Sequence, residues 1–434
     1  MLLIICSFVF WKDFFLFLPK NIKTYSVKRI TTLLTVLLFS WTTIAGGFQV
    51  NLQGNRSAGM GHTGVGLRLG AASGFFNPGA LAFANTEVLI GINLISAHVG
   101  YREFAPGVYE ANNTNPIGTP FHGYVSFRLN EDSPVVFGLG VYTPFGSSIS
   151  YDDDWKGQFL LREMGLRAIF YQGTIAYQVN DRLGIGAGYV FGTGDFELRR
   201  GIPLQDMDSE YGEVRLSGAG IGHGFNVGVY YDIADNISIG ASYRSGVSVQ
   251  LDGGEARFTV PSVLEGTAFP ATTFQTGLNL PSVFNIGIGV KASEKLTLAF
   301  DMNYVGWSSY DTLAFDFADN TEQLQDTRSA RRYKNVVILR AGAEYEVNEN
   351  LQLRAGMYYD FSPVQDGYLT PETPDMDKTG ISIGASYTVN NFTVDASFLY
   401  VTRGQRDDVN LESQFGGTWT SRAFIPGISF SYKF

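Results

Sequence analysis

Three arginines carry the most pointed chemistry in this chain. Arg244, Arg340 and Arg354 each alternate with the apolar residues of a strand-like run, so each points away from an apolar face. A guanidinium enclosed behind such a face costs free energy unless an acid pairs with it. Asp301, Glu344 and Asp360 are the acids that could do so; a ligand carboxylate is the alternative partner. Nucleophilic catalysis fits less well. His98 neighbours Ser96 and His122 neighbours Ser126, but close neighbours on one strand do not build a triad, whose members converge in three dimensions. No Cys/His spacing suits a metal and no Gly-rich loop suits a phosphate, so no catalytic residue, metal or cofactor is expected. The run Asp152-Asp153-Asp154 reads as solvated charge rather than a divalent-cation site.

The elements that hold these residues are strands. From Glu87 onward apolar and polar residues alternate, as they do where a strand has two different faces. Leu183, Ile185, Ala187, Tyr189 and Phe191 share one face; Gly184, Gly186 and Gly188 share the other. The last run, Phe424, Pro426, Ile428, Phe430, Tyr432 and Phe434, ends the chain on an aromatic residue. Connections alternate between long loops (103–119, 146–165, 199–221, 250–279, 312–333, 362–378, 403–421) and short turns such as Asn390-Asn391 and Ala234-Asp235-Asn236. Long outer loops, short inner turns and two-faced strands describe an antiparallel transmembrane β-barrel of about 14 strands over residues 87–434.

Composition agrees. The chain has 434 residues, 51 glycines, 34 phenylalanines and 23 tyrosines. Its mean hydropathy is +0.02, too low for a helical membrane protein but expected where only one strand face meets lipid. The formal charge of −10 argues against nucleic acid. The only cysteine, Cys6, precedes the expected mature chain. Lys23, Lys28 and Arg29, the apolar run from Ile30 to Trp41, and Thr43-Ile44-Ala45 read as a secretory signal, with residues 1–45 removed. Residues 46–86 are rich in small residues without a clean period, and are either a disordered tail or a plug for a lumen of this width. The expected location is the bacterial outer membrane.

Several short stretches resemble the FadL/TodX family of outer-membrane hydrocarbon transporters. Gly47-Phe48-Gln49-Val50-Asn51 is similar to that family's opening, and Phe76-Asn77-Pro78-Gly79-Ala80-Leu81 to the Asn-Pro motif of its N-terminal hatch. Gly140 to Gly146 followed by Asp154-Trp155-Lys156-Gly157, then Leu280-Pro281 with Trp307-Ser308, and Tyr359 to Val364 with Thr373 to Lys378, follow in the family's order. Gly79-Ala80 stands where Ala-Gly is usual, and Lys378 where Arg is usual, which keeps the charge but loses bidentate bonding. The resemblance implies a 14-stranded barrel, a hatch over 46–86 with Asn77, Pro78 and Gly79 at its kink, an extracellular apolar groove, and a lateral gap through which ligand passively leaves.

Phe258, Leu264, Phe269 and Phe274 are apolar residues in a stretch expected to face water, so they are candidates for that groove, with loop-on-loop packing as the alternative. The expected partners are a hydrophobic small-molecule ligand, outer-membrane lipid and lipopolysaccharide, and the expected state is a monomer. A general porin for polar solutes and a structural surface barrel are the competing readings.

Overall fold

The computed structural model describes residues 47–130, 132–205 and 210–434; the expected signal segment, 1–45, lies outside the described residues. Fourteen strands close into one ring. They are β1 (Glu87–Asn93), β2 (Phe121–Arg128), β3 (Val135–Ser150), β4 (Glu163–Gln178), β5 (Leu183–Gln205), β6 (Tyr211–Ala234) and β7 (Ile237–Arg244). The second half comprises β8 (Val283–Lys291), β9 (Leu296–Val305), β10 (Val336–Glu346), β11 (Leu351–Asp360), β12 (Lys378–Val389), β13 (Phe392–Arg403) and β14 (Gly416–Lys433). Each pairs antiparallel with its neighbours, and β1 pairs with β14 to close the ring. Closure pairs every strand on both sides, with one break between β2 and β3, and so meets the condition for strands in a bilayer.

The alternation sorts the two faces as expected. On β14, exposed Phe424, Ile428, Phe430 and Tyr432 alternate with buried Ser429 and Ser431. Among the described residues no helix is long and apolar enough to cross a membrane.

Two stretches expected as loops are protruding hairpins. β5 and β6 have 23 and 24 residues, more than twice the roughly 9–11 that cross a bilayer. After breaks in the ladder, β7 and β8 resume as Val247–Thr259 and Thr272–Leu280, which pair with each other, while the first also pairs with β6. Residues 199–221 and 250–279 are therefore largely strand. Above the bilayer the outward face meets water, so the apolar alternation fades while the backbone ladder continues.

The segment from Gly47 to Thr86 lies inside the ring. It carries three one-turn helices, α1 (Asn55–Ala58), α2 (Ser73–Phe76) and α3 (Pro78–Leu81), and is buried along most of its length. Its backbone meets the wall where the wall has no side chain. A Cβ on Gly356 would lie 2.1 Å from Gly61 N, and one on Gly342 would lie 2.3 Å from Met60 O. Glycine on the inner face therefore lets the segment dock by backbone contact.

Candidate functional site

The wall is interrupted on its outer half, between β2 and β3. Their ladder ends at His122↔Tyr142, and β3 bulges between Tyr142 and Phe145. Above the bulge, Asn115 reaches the Ser148 carbonyl (2.5 Å) and the Ser150 N–H (2.7 Å). Below it, Phe121 N–H donates to Thr143 Oγ1 (3.2 Å). Between these points no backbone hydrogen bond joins residues 116–120 to Pro144–Ser147 among the described residues. Pro116, Pro120 and Pro144 border the interruption; none can donate to a ladder. The freed edge of β3 is paired from inside instead. Val50 N–H donates to the Pro144 carbonyl (2.8 Å) and Gly146 N–H to the Phe48 carbonyl (3.2 Å).

Behind this interruption lies a cavity of about 470 Å³. Phe48, Val50, Ile149 and Leu166 supply apolar lining; Tyr358, Asp360 and Lys378 supply a polar side; Ile95, Pro116 and Phe121 border it at the wall. A second, narrow cavity of about 40 Å³ is almost wholly apolar, lined by Phe48, Met164, Phe196, Leu251, Leu278 and Leu313 among others. Deeper, a cavity of about 40 Å³ is lined by Gln49, Gln53, His62, Asp301, Arg244 and Arg340, together with Val65, Phe75, Phe76 and Val283. Burial, and then the Arg340 charge, press the His62 pKa well below the ordinary histidine value. The start of the described chain is clamped at the cavity: Gly47 N–H donates to Asp375 (2.7 Å) and Lys378 Nζ to the Gly47 carbonyl (3.1 Å). Lys378 also lies 3.3 Å from Asp375 and 3.8 Å from Asp360. A point charge suffices for these contacts, which explains how lysine serves here.

All three candidate arginines face the lumen, in different settings. Arg354 stands opposite Glu344 in the ladder and is fully committed: Nε to Glu344 (2.6 Å), Nη1 to Asp395 (3.1 Å) and Nη2 to Gln352 (3.0 Å). Glu344 holds Arg56 of the inner segment as well (2.7 Å). Arg340 bonds Asn303 and the His62 carbonyl, with no acid within ion-pair distance among the described residues. Arg244 donates to the Phe75 carbonyl (2.7 Å), and its guanidinium lies 3.8 Å from the Phe75 ring centroid. The expected acids are otherwise engaged: Asp301 accepts from Gly64 and Val65 N–H (2.7 and 3.0 Å), and Asp360 faces Lys378. Asp153, from the acidic run, pairs with Arg199 (2.9 Å).

Asn77 is wholly buried. Its amide donates to the Val65 and Val229 carbonyls (both 2.9 Å) and its oxygen accepts from Gly79 N–H (3.0 Å), with Pro78 opening α3. These residues tie the segment to β6. Phe269 and Phe274 are buried in a cluster of the protruding hairpins with Phe315 and Phe317, while Phe258 and Leu264 are half-buried at its margin. Loop-on-loop packing therefore holds Phe274 and Phe269, and only the margin is open to a ligand.

Arg200 is a residue that the sequence reading passed over. It follows Phe196 and Leu198 and precedes Ile202 and Leu204 on the inward face of β5, above the bilayer. Among the described residues it has no ion pair or hydrogen bond, and Glu372, the acid whose charge it feels, is taken by Arg331.

Comparison with known proteins gives a consistent result. Residues 36–434 match the family model described as outer membrane protein transport protein (OMPP1/FadL/TodX). Outer membrane protein P1 of Haemophilus influenzae is 24% identical over 389 residues, 81% of this chain and 83% of its own length. The long-chain fatty acid transport protein of Escherichia coli K12 is 21% identical over 437 residues, 92% of this chain and 97% of its own. Among solved structures, a Pseudomonas aeruginosa FadL homologue superposes with a TM-score of 0.78 at 20% identity, covering 90% of this chain and all of that one. The Pseudomonas putida toluene transporter TodX superposes at 0.68 and 17% identity, covering 87% and 97%. At these identities the structures speak for the fold; the family match spans nearly the whole chain. With its closed barrel, it identifies the chain as a β-barrel of the bacterial outer membrane and a member of the OMPP1/FadL/TodX family of outer-membrane transport proteins, which are not enzymes.

Proposed function

We propose that this protein carries hydrophobic small molecules, long-chain fatty acids or related hydrocarbons, passively across the outer membrane, and releases them sideways through the interrupted wall. A relative is named for long-chain fatty acid transport and a structural neighbour for toluene transport. The observation that carries the sideways route is the strand edge at Pro144–Gly146. A lipid-facing wall is normally sealed by its own ladder. Here the seal comes from Phe48–Val50, and Phe48 also lines both apolar cavities. A ligand that displaces Phe48 thus acts on the strand that covers the exit. The floor discourages the straight route, because an apolar molecule entering among Gln49, Gln53, Asp301, Arg244 and Arg340 would strip polar groups of their partners.

Collection begins at the open margin of the hairpin cluster, where Phe258 and Leu264 are half-buried and Val263 is 80% exposed. Apolar contact alone holds an acyl chain, at roughly 0.8 kcal/mol per buried CH₂. Residues 46–86 act as the hatch that keeps polar solutes out, which disfavours the porin reading.

The test is uptake of radiolabelled oleate and toluene in a deletion strain with and without the gene. Failure to restore either, with the barrel folded in the outer membrane, would sink the transport reading. A Gln49→Cys/Phe145→Cys pair addresses the exit alone. These residues face each other across an isolated antiparallel bridge, a separation that suits a disulfide. Oxidation is expected to drop oleate uptake to the level of the deletion strain and reduction to restore it. Undiminished uptake with the disulfide formed would leave transport standing but rule out this gate.

Arg200 discriminates the ligand class. It sits as an unpaired cation in an apolar row, a setting that a carboxylate would relieve. Arg200→Ala is expected to weaken oleate binding roughly 10- to 150-fold, the worth of a charge-assisted hydrogen bond, and to leave toluene binding unchanged. Equal loss for both ligands would make Arg200 structural.

A further inference from the structure

The outer surface of the wall carries a basic position with no acidic partner at the height where lipid phosphates lie, and we propose that Arg422 and His98 bind a phosphate of lipopolysaccharide there. The height follows from the strand. The outward run on β14 from Phe434 up to Phe424 spans about 25 Å of the membrane normal, at ~3.3 Å per residue and ~40° tilt, which is the full apolar band of an outer-membrane barrel. Arg422 is the next outward position, exposed and just beyond that band.

The neighbours complete a polar row. On the adjoining strand Ser96–Arg102, exposed His98 stands opposite Arg422 in the ladder. On the other side Thr402 of β13 stands opposite Arg422, and Thr379 of β12 opposite Thr402. Directly below, Phe424, Tyr400 and Ile381 form an apolar row on the same strands. The His98 ring packs edge-on against Phe424, with centroids 6.2 Å apart, which holds the imidazole at this level. An arginine, an imidazole and two hydroxyls over an aromatic shelf match the chemistry of a phosphate above acyl chains.

The position also lacks neutralisation. Four other outward arginines have an acid: Arg167 with Asp195 (2.9 Å), Arg199 with Asp153 (2.9 Å), Arg215 with Glu197 (3.8 Å) and Arg257 with Glu255 (2.6 Å); Arg102, on the strand of His98, has none within ion-pair distance among the described residues. Among the described residues, Arg422 and His98 have neither an ion pair nor a hydrogen bond. In the ladder, Glu110 stands opposite Arg102, two outward positions farther from the membrane. The long protruding hairpins put this rim on the cell-surface side, where the leaflet is lipopolysaccharide.

The full-length protein in detergent, titrated by native mass spectrometry, tests this with three probes: lipopolysaccharide, the same lipopolysaccharide with its phosphates removed, and phosphatidylglycerol. The native protein is expected to prefer the phosphorylated form. His98→Gln/Arg422→Gln is expected to lose roughly 5-fold in affinity for it, the worth of one arginine at an anionic surface, and to bind both forms alike. Arg422→Lys is expected to keep most of the affinity, because it keeps the charge. Both changes are on exposed side chains, and heat-shifted migration verifies folding. Unchanged affinity in the double variant, equal binding of the dephosphorylated form by the native protein, or equal binding of phosphatidylglycerol would each overturn the assignment.

Discussion

Gly356→Val is expected to open the lumen. A Cβ at this site would come within 2.1 Å of both Gly61 N and the Met60 carbonyl carbon, so backbone, not a pliable side chain, stands in the way. Gly61 has little freedom to retreat: its φ is +65°, and its N–H is held by Ser382 Oγ (2.9 Å). The wall itself should tolerate the change, because valine favours strands. The inner segment must therefore lift. Single-channel conductance in a planar bilayer reads this directly, with a closed native protein and a conducting variant. Gly173→Val is the control, since its Cβ would meet nothing within 4 Å. A closed, native-like Gly356→Val channel would show that the segment can shift without leaving the wall.

Glu344→Ala is expected to cost about 1.5–3 kcal/mol, the worth of a buried hydrogen bond between charged groups. Glu344 joins Arg354 of the wall to Arg56 of the inner segment, and its own side chain and that of Arg354 are 6% and 1% exposed. Arg56 is 37% exposed, so its share is largely screened and the loss comes mainly from Arg354, which keeps Asp395 and Gln352. The check is the temperature at which the detergent-solubilised barrel loses its compact migration. Glu344→Gln, which keeps one acceptor, should fall between. A loss below ~1 kcal/mol for the alanine variant would mean that water reaches this network and already compensates it.

The barrel was legible because a period of two is written into every wall strand, and short turns such as Asn390-Asn391 mark where it reverses. The same rule gave the lumen side of Arg244, Arg340 and Arg354. It could not give their partners. Glu344 meets Arg354 because register places them opposite one another, whereas Arg340 and Arg244 find carbonyls of a distant segment, His62 and Phe75. Arg200 was hidden by the assumption that apolar alternation ends where strand ends; on β5 the ladder outlasts the bilayer. The wall interruption left a trace in Pro116, Pro120 and Pro144, but proline within an apolar run also marks an ordinary strand end. Nothing local to β3 says that its missing partner is Phe48–Val50.

That the ring closes by zipping β1 to β14, the first strand to the last, has a consequence for biogenesis. The inner segment is the stretch of chain just before β1, and Glu87 at the start of β1 already accepts the Ala71 N–H (2.9 Å). Docking of the segment and closing of the seam thus share Glu87, and the barrel is expected to assemble around its contents as a cask is built around a mould.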